Sequence, residues 1–551
     1  MADVDTTADL VGAGRAALRR GDAAGARAAF EAALAASPGE GEALEGLAAA
    51  AYIDLDYSGA MELWERAYAA HRAAGDQTGA VRVARTLAFM HGSVLGDWAV
   101  MNGWIARAQT LLAGAGDSPE AGWVALNLGM FEGDRTRKDE HFREALAVAR
   151  RVGDSDLEFV TLAYLGASLV HGDRTEEGML LLDEALAAVA GRDVDNFQVL
   201  EEIFCQLFAA CEHANDVGRA DQWIRVGEEV ARRRNLPAVS AFCRTHYGGV
   251  LTAAGRWPEA DEALMEAVRL WGLGHQTLRA GALIRLADLR VRQGRIEEAE
   301  QLLDGLQDDV EAARPLAAIA LAKGQPALAR HLLERALAPL EPTSAAVAPL
   351  LALLVEVHLA AGNVDEADRT ADQLAECAAR HRSDYLVATA AHARGLVCAA
   401  TGEGDPCAGL SEALAAFARA RMPLEVARSR LELAAALAAD RPEVAIAEAR
   451  ASLDAFERLQ AARQADAAAA LLRSLGARTA SAKSSGEIMT RREAEILDLL
   501  GHGLSNPEIA DRLYISRKTV EHHVGNILAK LGLRSRAEAA AYAARTGSGQ
   551  K

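Results

Sequence analysis

Cysteine is scarce in this chain of 551 residues, and none of the six (Cys205, Cys211, Cys243, Cys377, Cys398 and Cys407) stands in a CxxC pair. Neither a zinc-ribbon spacing nor a disulfide framework is present, so reduced thiols are expected. Long apolar runs are missing too. The longest, near 345–355, contains Pro349 and stops at Glu356, well short of the ~20 residues a membrane helix needs. Asp3, Asp5 and Asp9 follow Met1 where a secretory leader would be basic and then apolar, so a cytoplasmic location is expected. No GxxxxGK[ST] loop and no HExxH pair occurs. Gly12-Ala13-Gly14-Arg15-Ala16-Ala17 mimics a dinucleotide fingerprint, but no strand precedes it and it falls inside a helical pattern. Nothing in the chain marks a nucleophile, a metal centre or a phosphate cradle; no enzyme activity and no cofactor are expected.

With 13 prolines, 47 glycines and 51% hydrophobic residues, the chain is long and apolar enough to bury a large interior and to form more than one domain. A turn signature recurs along it, glycine followed five residues later by alanine: Gly21/Ala26, Gly255/Ala260, Gly294/Ala299, Gly324/Ala329 and Gly362/Ala367. Weaker versions sit near Asp56, Gly96, Gly133, Gly172, Asp216, Gly402 and Asp440. Intervals lie mostly in the high thirties, a little above the ~34 residues of the tetratricopeptide repeat, which this pattern resembles. Alanine- and leucine-rich runs with helical periodicity fill the gaps, and no alternating strand is evident. The expectation is an all-α, tetratricopeptide-like solenoid of about eleven or twelve helical hairpins over residues 1–475. Residues 476–486 (GARTASAKSSG) are small and polar and read as a flexible linker.

Beyond that linker, three helices open with a hydroxyl followed three residues on by a carboxylate: Thr490/Glu493, Ser505/Glu508 and Ser535/Glu538. The first helix is expected from Thr490 to about Gly501, and the second from Ser505 to Leu513. A third is capped by Ser516 and stopped by Gly532. Its Val520, Val524, Ile527, Leu528 and Leu531 repeat at helical spacing, with Arg517, Lys518, Glu521, His522, Gly525, Asn526 and Ala529 on the other face. Helix, tight turn, amphipathic helix is the helix-turn-helix arrangement, whose second member enters the major groove. His523 leans to the apolar side and is read as a packing residue.

The stretches Met489-Thr490-Arg491-Arg492-Glu493, Gly503-Leu504-Ser505-Asn506, Glu508-Ile509-Ala510 and Ile515-Ser516-Arg517-Lys518-Thr519-Val520, through His523-Val524-Gly525-Asn526-Ile527, resemble the LuxR-type (GerE, NarL–FixJ superfamily) DNA-binding domain. The resemblance implies a small four-helix domain over residues 487–545, with a disordered tail at 546–551. It implies that Asn506, Arg517, Lys518 and Thr519 hold the DNA backbone, and that Glu521, His522, Gly525 and Asn526 face bases. Three positions depart from the pattern: Pro507 stands for a usual basic residue, Arg491 for a usual proline, and Glu521 for a basic or polar one. An unusual operator is therefore expected, since Glu521 would accept from cytosine N4. Lacking a phosphate loop, the chain differs from the large ATP-binding LuxR regulators; lacking strand–helix alternation, it offers no phosphoryl-receiving domain.

Residues 487–545 hold nine Lys/Arg against eight Asp/Glu, which leaves the rest of the chain at −20 of the net −19. An acidic body repels DNA, and a near-neutral domain gains little from counterion release on its own. Pairing two copies on one operator is the natural remedy, so a homodimer is expected. The expected function is a DNA-binding regulator whose body binds a protein, peptide or small-molecule effector and controls binding to double-stranded DNA. An interaction adaptor whose C-terminal domain has little or no DNA affinity is the alternative. Two further features call for weighing. Cys205, Cys211 and His213 on one helix, and Cys243 and His246 one repeat later, have the chemistry of a metal or thiol sensor, but small buried residues of a packed repeat explain them as well. Trp98 and Trp257 occupy inter-helix turns and are expected to seal hairpins.

Overall fold

The computed structural model describes residues 2–113, 118–194, 196–234, 241–272, 276–381, 383–477, 491–502, 504–513, 517–531, 533 and 535–546. Among these residues the secondary structure is helical, with no strand. The chain forms two compact units, Met1–Ala468 and Ala469–Lys551.

The recurrent Gly–Ala signature shows its cause in the first unit. Gly21, Gly255, Gly294, Gly324 and Gly362 all have φ between 71° and 80°, the left-handed conformation that ends a helix and that only glycine adopts without strain. At Gly255 the next amide, Arg256 N–H, reaches back to the Leu251 carbonyl at 3.0 Å and ties off the helix end. Five residues on, Ala26, Ala260, Ala299, Ala329 and Ala367 are each 0% exposed. A methyl is all that fits where the second helix of a hairpin presses on the first. In the weaker turns Leu55, Asp173 and Asn215 take the same φ, between 53° and 64°, without glycine's freedom. Asp22, Asp56, Asp76, Asp134 and Asp154 cap the helices that follow by accepting from an amide of the first turn. The described helices pair into twelve hairpins, from Ala2–Arg19 with Ala23–Ala36 to Pro423–Leu437 with Pro442–Leu459, and the single helix Ala462–Ser474 follows. The dinucleotide mimic at Gly12 to Ala17 lies inside the first helix. In the fifth hairpin the two backbones nearly touch: a Cβ on Gly178 would sit 2.3 Å from the Gly166 carbonyl oxygen.

Neighbouring hairpins are joined by polar as well as apolar contacts. Glu45 takes two hydrogen bonds from Arg82, at 2.6 and 2.8 Å, one repeat away. Burial alone would raise its pKa, but hydrogen bonds from His71 and Arg82 overcome that and hold it at about 2. Glu212 bridges Arg285 (2.6 and 2.9 Å) and His246 (2.7 Å) and is likewise held at about 2 against burial, chiefly by the Arg285 charge. Contacts also span far longer intervals. Arg292 bonds Glu425 at 3.2 Å, the Ala345 amide donates to Asp173 at 2.9 Å, and Arg421 lies 3.6 Å from Asp221. Successive turns of the superhelix therefore meet along a seam.

The cysteines correct the sequence reading. Cys205 on Phe197–Ala214 and Cys243 on Ala241–Ala253 form a disulfide. One repeat separates them, which sets them at equivalent heights on adjacent helices with Cα atoms 4.7 Å apart. The other four are free thiols, and burial pushes Cys211 well above its usual pKa. His213 lies against His171 with the rings tilted and their centroids 4.4 Å apart, and His246 pairs with Glu212, so the five residues are not gathered around one point. Among the described residues no cluster of three or more metal-ligating side chains is found. Trp257 seals its turn as expected, buried at 1% and donating to the Thr252 carbonyl at 3.0 Å. Trp98 does not: it is 54% exposed and meets Phe131 in a T-shaped ring contact at 6.3 Å. No described helix is long and apolar enough to cross a membrane.

Candidate nucleic-acid interface

Four helices make the second unit's core: Arg491–Gly501, Asn506–Leu513, Arg517–Leu531 and Arg536–Thr546. Ile496, Leu497 and Leu500 of the first meet Ile509 and Ala510 of the second, Val520, Val524 and Ile527 of the third and Ala539 of the fourth, all buried. The stripe at 520, 524 and 527 turns the third helix so that Arg517, Lys518, Thr519, Glu521 and Gly525 are exposed. His523 is half-buried between the two faces, in keeping with a packing role. His522 and Asn526 belong to the same helix, although their side chains lie outside the described ones. So do Thr490, Gly503, Ser516 and Gly532, the expected cap and break residues.

The second helix starts on half of the expected box: the carboxylate reaches back to the cap residue, and the hydroxyl donates to that carboxylate. The Ser505 amide donates to the Glu508 carboxylate at 2.7 Å and the Ser505 hydroxyl to the same oxygen at 2.6 Å, which lowers the Glu508 pKa. The fourth helix is capped as expected, Ser535 Oγ accepting from the Glu538 amide at 3.3 Å.

Two arginines that sequence reasoning passed over hold the helices in place. Arg492 donates to the Leu513 carbonyl at 2.8 Å and pairs with Glu495 at 2.9 Å, closing the C-terminal end of the second helix. Arg536 donates to the Leu504 carbonyl and to Asn506 Oδ1, fastening the fourth helix to the start of the second. These partners lie 21 to 32 residues away, beyond the reach of local periodicity. The clue available was weaker: a basic residue with no place on either face of the recognition helix.

Asn506, at the head of the second helix, thus has its side-chain oxygen engaged by Arg536. A phosphate oxygen only accepts, so the amide nitrogen is the atom that would meet one. On the third helix, Arg517 Nε donates to Glu521 Oε1 at 3.1 Å, one turn on, with the two side chains 70% and 49% exposed. Each restrains the other. Lys518 stands beside them as an exposed cation at the helix start. A Cβ placed on Gly525 would meet nothing within 4 Å, so the middle of this face is open and flat. The surface combines cations at its leading end, one carboxylate and a bare patch of backbone. Major-groove edges offer donors and acceptors at the depth such a helix reaches.

Residues 487–543 match the family of bacterial regulatory proteins, luxR family (GerE). Over 59 residues the chain is 52% identical to the transcriptional regulatory protein LnrK of Bacillus subtilis, covering 11% of this chain and 27% of that protein. Over 65 residues it is 46% identical to the oxygen regulatory protein NreC of Staphylococcus aureus, covering 12% of this chain and 30% of that one. The chain thus spans under a third of the length of these relatives. A chain of the APC/C hetero-tetramer Cut9–Hcn1 crystal structure aligns over 83% of this chain and 95% of its own, at 13% identity and a TM-score of 0.33. The four-helix segment after the helical-repeat body is a DNA-binding domain of the luxR family of bacterial regulatory proteins.

Proposed function

We propose that this chain is a transcription regulator in which the helical-repeat body, residues 1–475, binds a partner or ligand and controls operator binding by the luxR-type domain, residues 487–545. Residues 476–486 would serve as the linker and 546–551 as a tail; both lie largely outside the described residues. The observation that carries the reading is the exposed face of Arg517–Leu531, set by the buried Val520, Val524 and Ile527 behind it. Arg517, Lys518, Thr519 and Asn506 hold the DNA backbone in this reading, and Glu521, His522, Gly525 and Asn526 face bases.

The domain's charge is nearly balanced, and Glu521 occupies one of its exposed cations, so a single copy binds weakly. The body is then the element that sets occupancy, by presenting two domains together as a homodimer or by occluding them. The setting would be the cytoplasm. Fluorescence-anisotropy titrations of the full chain, the body and residues 484–551 on one operator, chosen from a genome-wide map of bound DNA, test this. The body alone should not bind. The full chain should differ from the isolated segment, tighter by about 10²-fold if the body dimerises and weaker if it occludes. Equal affinities with a monomeric full chain by light scattering would instead support the adaptor reading, which the Arg517–Glu521 pairing favours.

A further inference from the structure

An open cleft of about 460 Å³ lies on the seam of the body, where the seventh hairpin meets the eleventh and twelfth. That is the size range of small-molecule sites, ~300–1,000 Å³. Ala254 forms one wall, Met422 and Val426 a second, and Ala451 and Ala455 a third. The seam is closely packed beside it, since a Cβ on Gly255 would lie 2.5 Å from Pro423 Cγ.

Around these alkyl walls stand three guanidinium groups, Arg421, Arg430 and Arg458. Arg421 sits in a left-handed turn, at φ 59°, and its side chain lines the cleft. Its carboxylate neighbour, Asp221, is 3.6 Å away and shared with Arg256 at 3.5 Å. Arg430 Nε is buried without a hydrogen-bond partner, and Glu448, the nearest carboxylate, stands off at 3.8 Å. Arg458 meets no carboxylate within 4 Å among the described residues and is exposed. Three cations with incomplete partners line an alkyl cleft in a chain that carries −20 outside residues 487–545.

The geometry points to a binding site for a small amphipathic acid, an organic anion with an apolar tail. The head would lie among Arg421, Arg430 and Arg458, where planar donors match a carboxylate or phosphate, and the tail along Ala254, Met422 and Ala455. Such a molecule bridges hairpins far apart in sequence. This names a ligand class for the body and rests on the regulator reading only for its effect on DNA.

Isothermal titration of the full chain with decanoate, decanol and acetate, below micellar concentrations, tests the site. Decanoate should bind at least roughly tenfold more tightly than decanol, because only it carries the charge, and acetate should not bind measurably. The double variant R421Q/R458Q, two exposed side chains whose loss leaves the core intact, should weaken decanoate by about tenfold or more and leave decanol unchanged. A455W, which fills the cleft, should abolish both; should it fail to fold, the arginine pair still decides. Failure of every probe to bind, equal binding of decanoate and decanol, or full decanoate affinity in R421Q/R458Q would overturn the proposal. No DNA enters this measurement. If decanoate binds and operator affinity stays the same, the site stands and ligand control of DNA binding falls.

Discussion

Lys518 and Glu521 share one exposed face of the recognition helix, and their substitutions should separate positioning from reading. Lys518→Ala removes a charge that any phosphate would attract. Binding should weaken on all sequences alike, and the slope of log affinity against log salt should shrink by about 0.9, one phosphate's worth. Glu521→Ala acts differently because the carboxylate is paired with Arg517 at 3.1 Å. Its loss frees a cation for the backbone while deleting an acceptor at the base edges. Preference at one base pair should fall by roughly 1–3 kcal/mol, while affinity for unrelated DNA rises. Anisotropy titrations over a panel of single-base operator variants at several salt concentrations measure both. A uniform loss across the panel for Glu521→Ala would show that it reads no base.

At the scale of the turn and helix, Gly255 and Gly324 allow a controlled comparison. Both have φ near +72°, so alanine at either place carries the strain of a left-handed residue, of order 1 kcal/mol. A Cβ on Gly324 would meet nothing within 4 Å, whereas one on Gly255 would collide with Pro423 across the seam. Chemical denaturation should therefore show Gly255→Ala destabilising by about 2–4 kcal/mol and Gly324→Ala by about 1. Equal losses would mean that the seam contributes nothing to stability. The contrast also shows what was legible in the sequence. Both ends of the Gly–Ala signature fall within six residues, so the φ requirement and the buried methyl could be read together, and the hairpin repeat with them. The recognition helix was readable for the same reason: Val520, Val524 and Ile527 define its inner face locally. Arg492, Arg536 and the Arg292–Glu425 pair were not, because their partners lie 21 to 133 residues away and no local period encodes them. Cys205 and Cys243 fell between these cases. Their one-repeat spacing was visible, but whether the sulfurs meet depends on how each helix is rotated about its axis. Trp98 and Trp257 open helices after similar turns, yet only the second has a buried wall to lean on.

Across the body as a whole, stability should carry an unusual pH signature from Glu202. Burial raises its carboxyl to about 7, with Arg85 opposing and Glu201 reinforcing the shift, and Tyr164 hydrogen-bonded beside it. A folded pKa above the unfolded value means that this group favours the fold when protonated; its contribution is complete below about pH 4.5 and lost as pH rises through 7. Glu45 and Glu212, held at about 2, act in the opposite sense but only in strong acid. Glu202→Gln should therefore stabilise the protein by about 1–2 kcal/mol at pH 8 and little at pH 5, after allowance for its partial exposure. Urea melts at the two pH values decide it, and an equal effect at both would place the Glu202 pKa in the ordinary range. The seam has a kinetic consequence as well. Each hairpin closes a short loop and can fold alone with its neighbour, whereas pairing Asp173 with Ala345, or Arg292 with Glu425, must first bring together positions 172 or 133 apart in the chain. The slow event in refolding is then the meeting of finished turns, after most helix has formed. For a time the chain is an open spring with its arginine-lined edge in water, and the nascent protein is most vulnerable to association with another copy of itself in that interval.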